Sequence, residues 1–120
     1  MKISARTLSR QGIEIWRPIA GFPKHKVSNL GRVRGPRKML AVFSLGGNNV
    51  IKYPAVCLCH AGRQINQYVH ILVLEAFDGP RPIGMDHTRH LDGDPSNCVL
   101  YNIRFGTVTE NRHDRIRHGR

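Results

Sequence analysis

The sequence predicts a small α+β protein, in which an N-terminal β module is followed by a helix and then by a strand, loop, strand, helix unit. Three observations carry this. Over positions 13–38, "IEIWRPIAGFPKHKVSNLGRVRGPRK", short apolar pieces alternate with turn residues and basic ones. At Val69–Phe77 the apolar period becomes helical, with Val69, Leu72, Val73, Ala76 and Phe77 on one face. Further on, the turn-rich loop "DGDPSN" separates two short β-forming runs ahead of a helix start. A chain of 120 residues has room for about one domain with a modest core.

Taken in order, "KVSNLGRVRG" reads as strand, turn, strand, with Asn29 and Gly31 expected to supply the positive φ of the reversal. Lys24, Lys26, Arg32, Arg34, Arg37 and Lys38 stud the rim of this module, assigned to 13–50, and Trp16, the single tryptophan, is expected to anchor its core. "KYPAVCLCH" and "QINQYV" are β-forming runs joined by "AGR", so a hairpin is expected. Cys57 and Cys59 fall on one face of its first strand, where filling a core is the expected role. The helix from Val69 ends at Asp78, Gly79 and Pro80, and His70 at its start is expected to be structural. A strand within Met85–Leu91 and a returning strand at "NIRF" follow. Thr107 and Glu110 have the spacing of a capping box, which places Asn111 in the first turn of a last helix. The second unit is assigned to 51–118.

Composition limits the function classes. The longest apolar stretch, "VHILVLEAF", is about half the ~18 residues that cross a bilayer, and "MKISARTLSRQG" lacks the apolar core of a secretion signal. A cytoplasmic protein without a membrane partner is expected. Cys57, Cys59 and Cys98 form no CxxC pair, which argues against a disulfide framework and fits a reducing compartment. From Met1 to Arg63 there are twelve Lys plus Arg against Glu14 alone, whereas Gln64 to Arg120 carries seven of each sign. The excess of +11 therefore sits wholly in the first half, and the partner such a surface suits is a nucleic acid.

Within that basic chain, residues 89–111 gather His90, Asp92, Asp94, Asn97, Asn102, Glu110 and Asn111. Phosphodiester hydrolysis needs a base for water, a cation for the phosphoryl and leaving oxygens, and a surface that tolerates a polyanion. His90 is the candidate base, and Asp and Asn oxygens suit a hard divalent ion. Asp92 and Asp94 divide between capping the loop and supporting a metal.

"HLDGDPSN" followed by "YNIRFGTVTEN" resembles the HNH endonuclease motif in its phage and homing form, and "YVHILVLEAFDGPRPIGM" is similar to the helix and linker that precede it. "EIWRPIAGFPKHKVSNLGRVRG" resembles the DNA-binding motif of the NUMOD class that often stands upstream. The resemblance implies a ββα-metal (His-Me) finger at about 85–118. It implies that His90 activates water, that Asn102 hydrogen-bonds across the loop, and that Asn111 is a metal ligand on the last helix. Asp114, on the same helix face, is a further candidate ligand or else a surface carboxylate balanced by Arg115 and Arg117; His113 faces away. The implied metal is Mg²⁺ or Mn²⁺, the products 5′ phosphate and 3′ hydroxyl, and the partner double-stranded DNA, bound by a monomer or weak homodimer in a bacterial or phage-infected cell. Arg89, Arg112 and Arg115 join the rim cations as expected DNA contacts.

Two features depart from the family pattern. The position before the base is commonly an Asp or His ligand, but here it is Arg89, which cannot ligate a cation and is suited to clamping phosphate. The run "MDHTRH" also allows a second register, with Asp86 as ligand and His87 as base; the spacing to Asn102 and Asn111 favours His90. A DNA-binding protein that keeps the fold without hydrolysis, and a basic RNA-binding protein, are the competing functions.

Overall fold

The computed structural model describes residues 3–46, 52–107 and 109–110. Asn111, Arg112, Asp114 and Arg115, all expected at the site, lie outside the described residues, as does His113.

The chain opens with an element that the sequence pattern does not announce, helix α1 (Ala5–Arg10), whose first turn is capped by Ser4 Oγ accepting from the Thr7 N–H at 3.1 Å. Strands β1 (Trp16–Ile19), β2 (Phe22–Ser28) and β3 (Val33–Arg34) form an antiparallel sheet in that order. Gly31 supplies the positive φ of the β2–β3 reversal, as expected, but Asn29 does not. It is fully buried instead: its side-chain oxygen accepts from Ile15 N–H at 2.8 Å, and its amide donates to the carbonyls of Ala5 and Ile13 at 3.0 and 2.9 Å. An amide with three partners in the interior serves as a fastener for the N-terminal segment.

A second antiparallel sheet holds β4 (Phe43–Leu45), β5 (Tyr53–His60) and β6 (Arg63–Tyr68). The β5–β6 hairpin turns at Ala61 and Gly62, both at positive φ, which is the backbone a two-residue loop needs to match the twist of its strands. Val56 and Leu58 face the core from β5, whereas Cys57 is half-buried and Cys59 exposed, so the core-filling role expected for these cysteines is not the observed one. The buried cysteine is Cys98.

Helix α2 (Val69–Asp78) follows β6 directly and buries Val69, Leu72 and Val73 from the expected stripe, with Leu74 in addition because it packs against both sheets. Strands β7 (His87–His90) and β8 (Ile103–Gly106) pair antiparallel, with a 3₁₀ turn at Leu100–Asn102 leading into β8. One apolar cluster joins Val27 and Val33, Val56 and Leu58, α2, and Leu100 and Ile103, so the basic module and the C-terminal unit share a core.

Polar contacts fasten the same seam. Leu100 N–H donates to Asn29 O at 2.9 Å, and Arg6 reaches the carbonyls of Leu100 and Ile103 while pairing with Asp78 at 2.7 Å. Gly31 lies so close to Cys98 that an added Cβ would sit 3.2–3.3 Å from its carbonyl and Cβ. The β2–β3 turn thereby fixes one end of the loop that carries the candidate site.

Candidate active site

His90 is the last residue of β7, paired with Ile103 of β8, and the loop after it returns to the sheet at Asn102. The loop is closed by Leu91 N–H donating to Asn102 O at 2.8 Å. Asn102 is buried, and its side chain spans the loop interior: its oxygen accepts from Asp92 N–H, and its amide donates to Asp92 Oδ1 and Asn97 O, each at 2.9 Å. Asn97 donates to Asp92 Oδ2 at 2.8 Å, and Asp94 Oδ1 accepts from both the N–H and the hydroxyl of Ser96. The loop's two carboxylates and two carboxamides are thus largely engaged with one another, as Asx turns that hold the loop's shape. Burial works to raise the Asp92 pKa, but hydrogen bonds from Asn97, the Asp94 N–H and Asn102 outweigh it and hold the carboxyl below its usual range. Asp94 is likewise held low, chiefly by the Ser96 side chain and N–H.

The His90 ring is buried in an aromatic box. Tyr53 stacks on it at 5.7 Å, His70 meets it edge-on at 5.4 Å, and Tyr68 stacks on His70 at 5.2 Å. Burial, reinforced by the neighbouring His90, lowers the His70 pKa to about 3, so His70 is neutral. Cys98 completes the group: one donor atom from each of His70, His90 and Cys98 lies within 4.8 Å of the others. Burial and the charge of Asp94 push the Cys98 thiol up to about 12, against a hydrogen bond from the His70 backbone N–H. Two imidazoles and a thiol are a soft donor set that suits Zn²⁺ or Cu⁺ and does not suit Mg²⁺. Among the described residues this is the cluster of three or more such side chains, and the expected hard-ion ligands, Asn111 and Asp114, fall outside them.

Arg89, beside His90, runs its aliphatic stem over Gly106, where a Cβ would come within 2.6 Å of the Arg89 Cγ and Cδ, and reaches Glu110 at 3.3 Å. Glu110 and Thr107 form the reciprocal capping box: Thr107 N–H donates to Glu110 Oε1 at 2.9 Å and Glu110 N–H to Thr107 Oγ1 at 3.1 Å. The start of the last helix is therefore fixed where the spacing placed it. Asp86 and His87 stand at the other end of β7, on a cleft of about 610 Å³ shared with Tyr53, Tyr68, His70 and Glu75.

On the basic module, Lys24, Lys26, Arg32, Arg34, Arg37 and Lys38 are all exposed. Lys26 and Arg34 are directly cross-strand, an arrangement that costs stability unless an anion shares them. Arg34 lies over the Trp16 ring at 5.5 Å and Arg32 at 5.6 Å. Trp16 is half-exposed and outside the core cluster, so it is a platform for these guanidinium groups and not the core anchor expected of it. Arg32 is also bound to Glu14, at 2.8 Å through Nε, and that side-chain hydrogen bond is the main cause of the lowered Glu14 pKa.

Sequence reasoning missed Cys98 and Tyr53 as neighbours of His90, and Tyr68 as the ring stacked on His70. The stacking residues lie more than twenty positions upstream of His90 with no local spacing to give them away, and Cys98 sits in the motif without matching a ligand pattern.

Residues 67–113 match the model of the HNH endonuclease family, and residues 14–58 match the NUMOD4 motif. Two successive stretches of the chain are therefore similar to the NUMOD4 motif and to an HNH endonuclease. Its fold is similar to that of the HNH homing endonuclease I-HmuI, in a structure of that enzyme's DNA binding and cleavage, with 27% identity and a TM-score of 0.72 over 88% of this chain. The chain spans 59% of the length of that endonuclease. No curated protein matches the sequence. The HNH segment begins at the end of β6, runs through α2 and contains the β7–loop–β8 unit with His90 and Asn102, while the NUMOD4 segment contains β1–β3 and their basic rim.

Proposed function

We propose that the protein is a metal-dependent endonuclease that hydrolyses phosphodiester bonds of double-stranded DNA, leaving 5′ phosphate and 3′ hydroxyl ends. The basic module at 13–50 grips the duplex backbone, and the unit at 51–118 cuts it. The observation that supports this best is the setting of His90: its ring is clamped between Tyr53 and His70 at the end of β7, beside a loop locked by Asn102, in an HNH-like fold. A base held in one orientation at the finger's edge is what activation of a water for attack on phosphorus requires. His90 accepts the water proton, the new P–O bond forms, the bond to the 3′ oxygen breaks, and that oxygen takes a proton from solvent to leave as the 3′ hydroxyl. Asn111 and Asp114 would hold the divalent ion, Mg²⁺ or Mn²⁺, which when bound would supply charge against the phosphate.

The test is conversion of supercoiled plasmid to relaxed circles with Mg²⁺ or Mn²⁺, and its loss in EDTA. His90→Ala and Asn111→Ala each lower the rate about a hundredfold or more. Absence of cutting with either ion overturns the assignment.

One observation favours a second reading, a DNA-binding protein without hydrolysis: Arg89, at the position where HNH enzymes commonly carry a ligand, is paired with Glu110. That reading predicts salt-sensitive duplex binding with no cleavage in any divalent ion, which the same assay distinguishes.

A further inference from the structure

The His70, His90 and Cys98 cluster is not used by the proposed reaction beyond the base itself, and its chemistry points elsewhere. We propose that these three side chains form a buried site for a thiophilic transition ion, with Zn²⁺ the expected occupant, and that filling it takes His90 out of hydrolysis. The inhibitory half rests on the nuclease reading; the site itself does not.

Four observations carry the site. The donor atoms lie within 4.8 Å of one another, and a tetrahedral Zn²⁺ with Zn–N of about 2.0–2.1 Å and Zn–S of about 2.3 Å draws such atoms to roughly 3.3–3.7 Å, a contraction of about an ångström. His70 is 6% exposed, yet its Nδ1 has no hydrogen-bond partner among the described residues, an expense that a core histidine ordinarily avoids. The sulfur of Cys98 accepts from the His70 backbone N–H in the first turn of α2, which ties it to the helix that carries His70, while burial and Asp94 keep the metal-free group a thiol. Finally, a cation sharing one thiolate leaves a net positive charge, and Asp94 is electrostatically coupled to both Cys98 and His90, and Asp92 to His90.

The frame is built to hold these donors. Gly31 packs against the Cys98 backbone, β7–β8 pairing fixes His90, and Tyr68 stacks on His70. His70 also lines the cleft of about 610 Å³, which gives an ion a way in. On binding, Zn²⁺ forms bonds to two ring nitrogens and to sulfur, and the thiol proton leaves to solvent. The lone pair that Zn²⁺ takes from His90 is then withdrawn from the ring that must accept a proton from water.

The test uses the full chain with Cys57→Ser and Cys59→Ser, so that Cys98 is the remaining thiol. Titration with Co²⁺ is expected to give one ion per chain, intense visible bands of a four-coordinate centre, and a thiolate-to-cobalt charge-transfer band, all abolished by excess Zn²⁺. Cys98→Ser removes the charge-transfer band, and His70→Phe weakens binding by about tenfold or more. Circular dichroism of both variants confirms folding. Co²⁺ spectra without the thiolate band, or unchanged by Cys98→Ser, overturn the site. In the plasmid assay with excess Mg²⁺, equimolar Zn²⁺ is expected to suppress nicking about tenfold in the parent and to leave the Cys98→Ser protein within about twofold of its own zinc-free rate. Equal suppression in both, or none in the parent, overturns the inhibition. If no protein nicks under any condition, the nuclease reading falls and the inhibition with it, while the cobalt spectrum still decides the site.

Discussion

Asn102 and Asp92 hold each other through a closed pair of hydrogen bonds: the Asn102 oxygen accepts from the Asp92 N–H, and the Asn102 amide donates to Asp92 Oδ1, both at 2.9 Å. A third bond, to Asn97 O, makes the carboxamide the hub of the loop that follows His90. Because Asn102 is 2% exposed, its truncation leaves buried donors and acceptors without partners. Asn102→Ala is expected to cost about 2–4 kcal/mol in urea unfolding. Asn102→Asp is worse, since it sets a buried carboxylate against that of Asp92. A midpoint unchanged in both would refute the hub.

The sequence reached this loop because its chemistry is local. Asp, Asn and Ser at short spacings make Asx turns wherever they occur, and Thr107 and Glu110 show their capping box in the spacing alone. The α2 stripe was legible for the same reason: burial repeats with the helix. What was not legible depends on partners distant in sequence. Asn29 reads as a turn former, and only the approach of α1 and the Ile13–Ile15 segment makes it an interior fastener. Cys59 reads as half of a core face, but the sheet turns that face outward. Helix α1 is a short polar run without an apolar stripe, so no periodic pattern announces it.

Arg89 and Gly106 form a second coupled pair. A methyl group at position 106 collides with the middle of the Arg89 side chain, which cannot yield without abandoning Glu110. Gly106→Ala is expected to cost about 1–3 kcal/mol. In an Arg89→Ala background the same change is expected to cost much less, because the collision has gone. A thermal-denaturation double-mutant cycle reads the difference, and additive losses would mean that the collision has no energetic consequence.

Acid should destabilise the protein through His70. Its folded pKa, about 3, is below the ordinary 6.5, so between those values the unfolded chain binds a proton that the folded chain does not. Stability attributable to this group is therefore full above about pH 6.5 and falls as pH drops toward 3, by about 2 kcal/mol between pH 7 and pH 5. Asp92, held low in the fold, adds loss at more acid pH. His70→Phe keeps a ring against Tyr68 and has no proton to bind, so its unfolding free energy is expected to be flatter over pH 7–5 by about that 2 kcal/mol. Equal slopes in urea titrations at the two pH values would show that burial of His70 is not what the protein loses in acid.

Among the described residues, the basic rim divides into cations already paired with a carboxylate and cations that are not. Arg32 is held by Glu14 and lies beside Trp16, so in the free protein part of its charge is already answered. Lys26 and Arg34 face one another across β2 and β3, and Lys24 lies on the same side of the strand as Lys26. If the module grips DNA as proposed, bringing these charges to a phosphate backbone would relieve their mutual repulsion and release counterions, so they should contribute most of the salt dependence. Removing Lys26 and Arg34 together is expected to weaken duplex binding similarly for unrelated sequences and to reduce the slope of log K against log salt by about 2, one for each phosphate that is no longer neutralised. Arg32→Ala is expected to change the slope by well under 1, because the carboxylate of Glu14 competes for that cation. Fluorescence anisotropy across a salt series separates these cases, and a larger effect from Arg32 than from the Lys26 and Arg34 pair would place the DNA on the other side of the Trp16 platform.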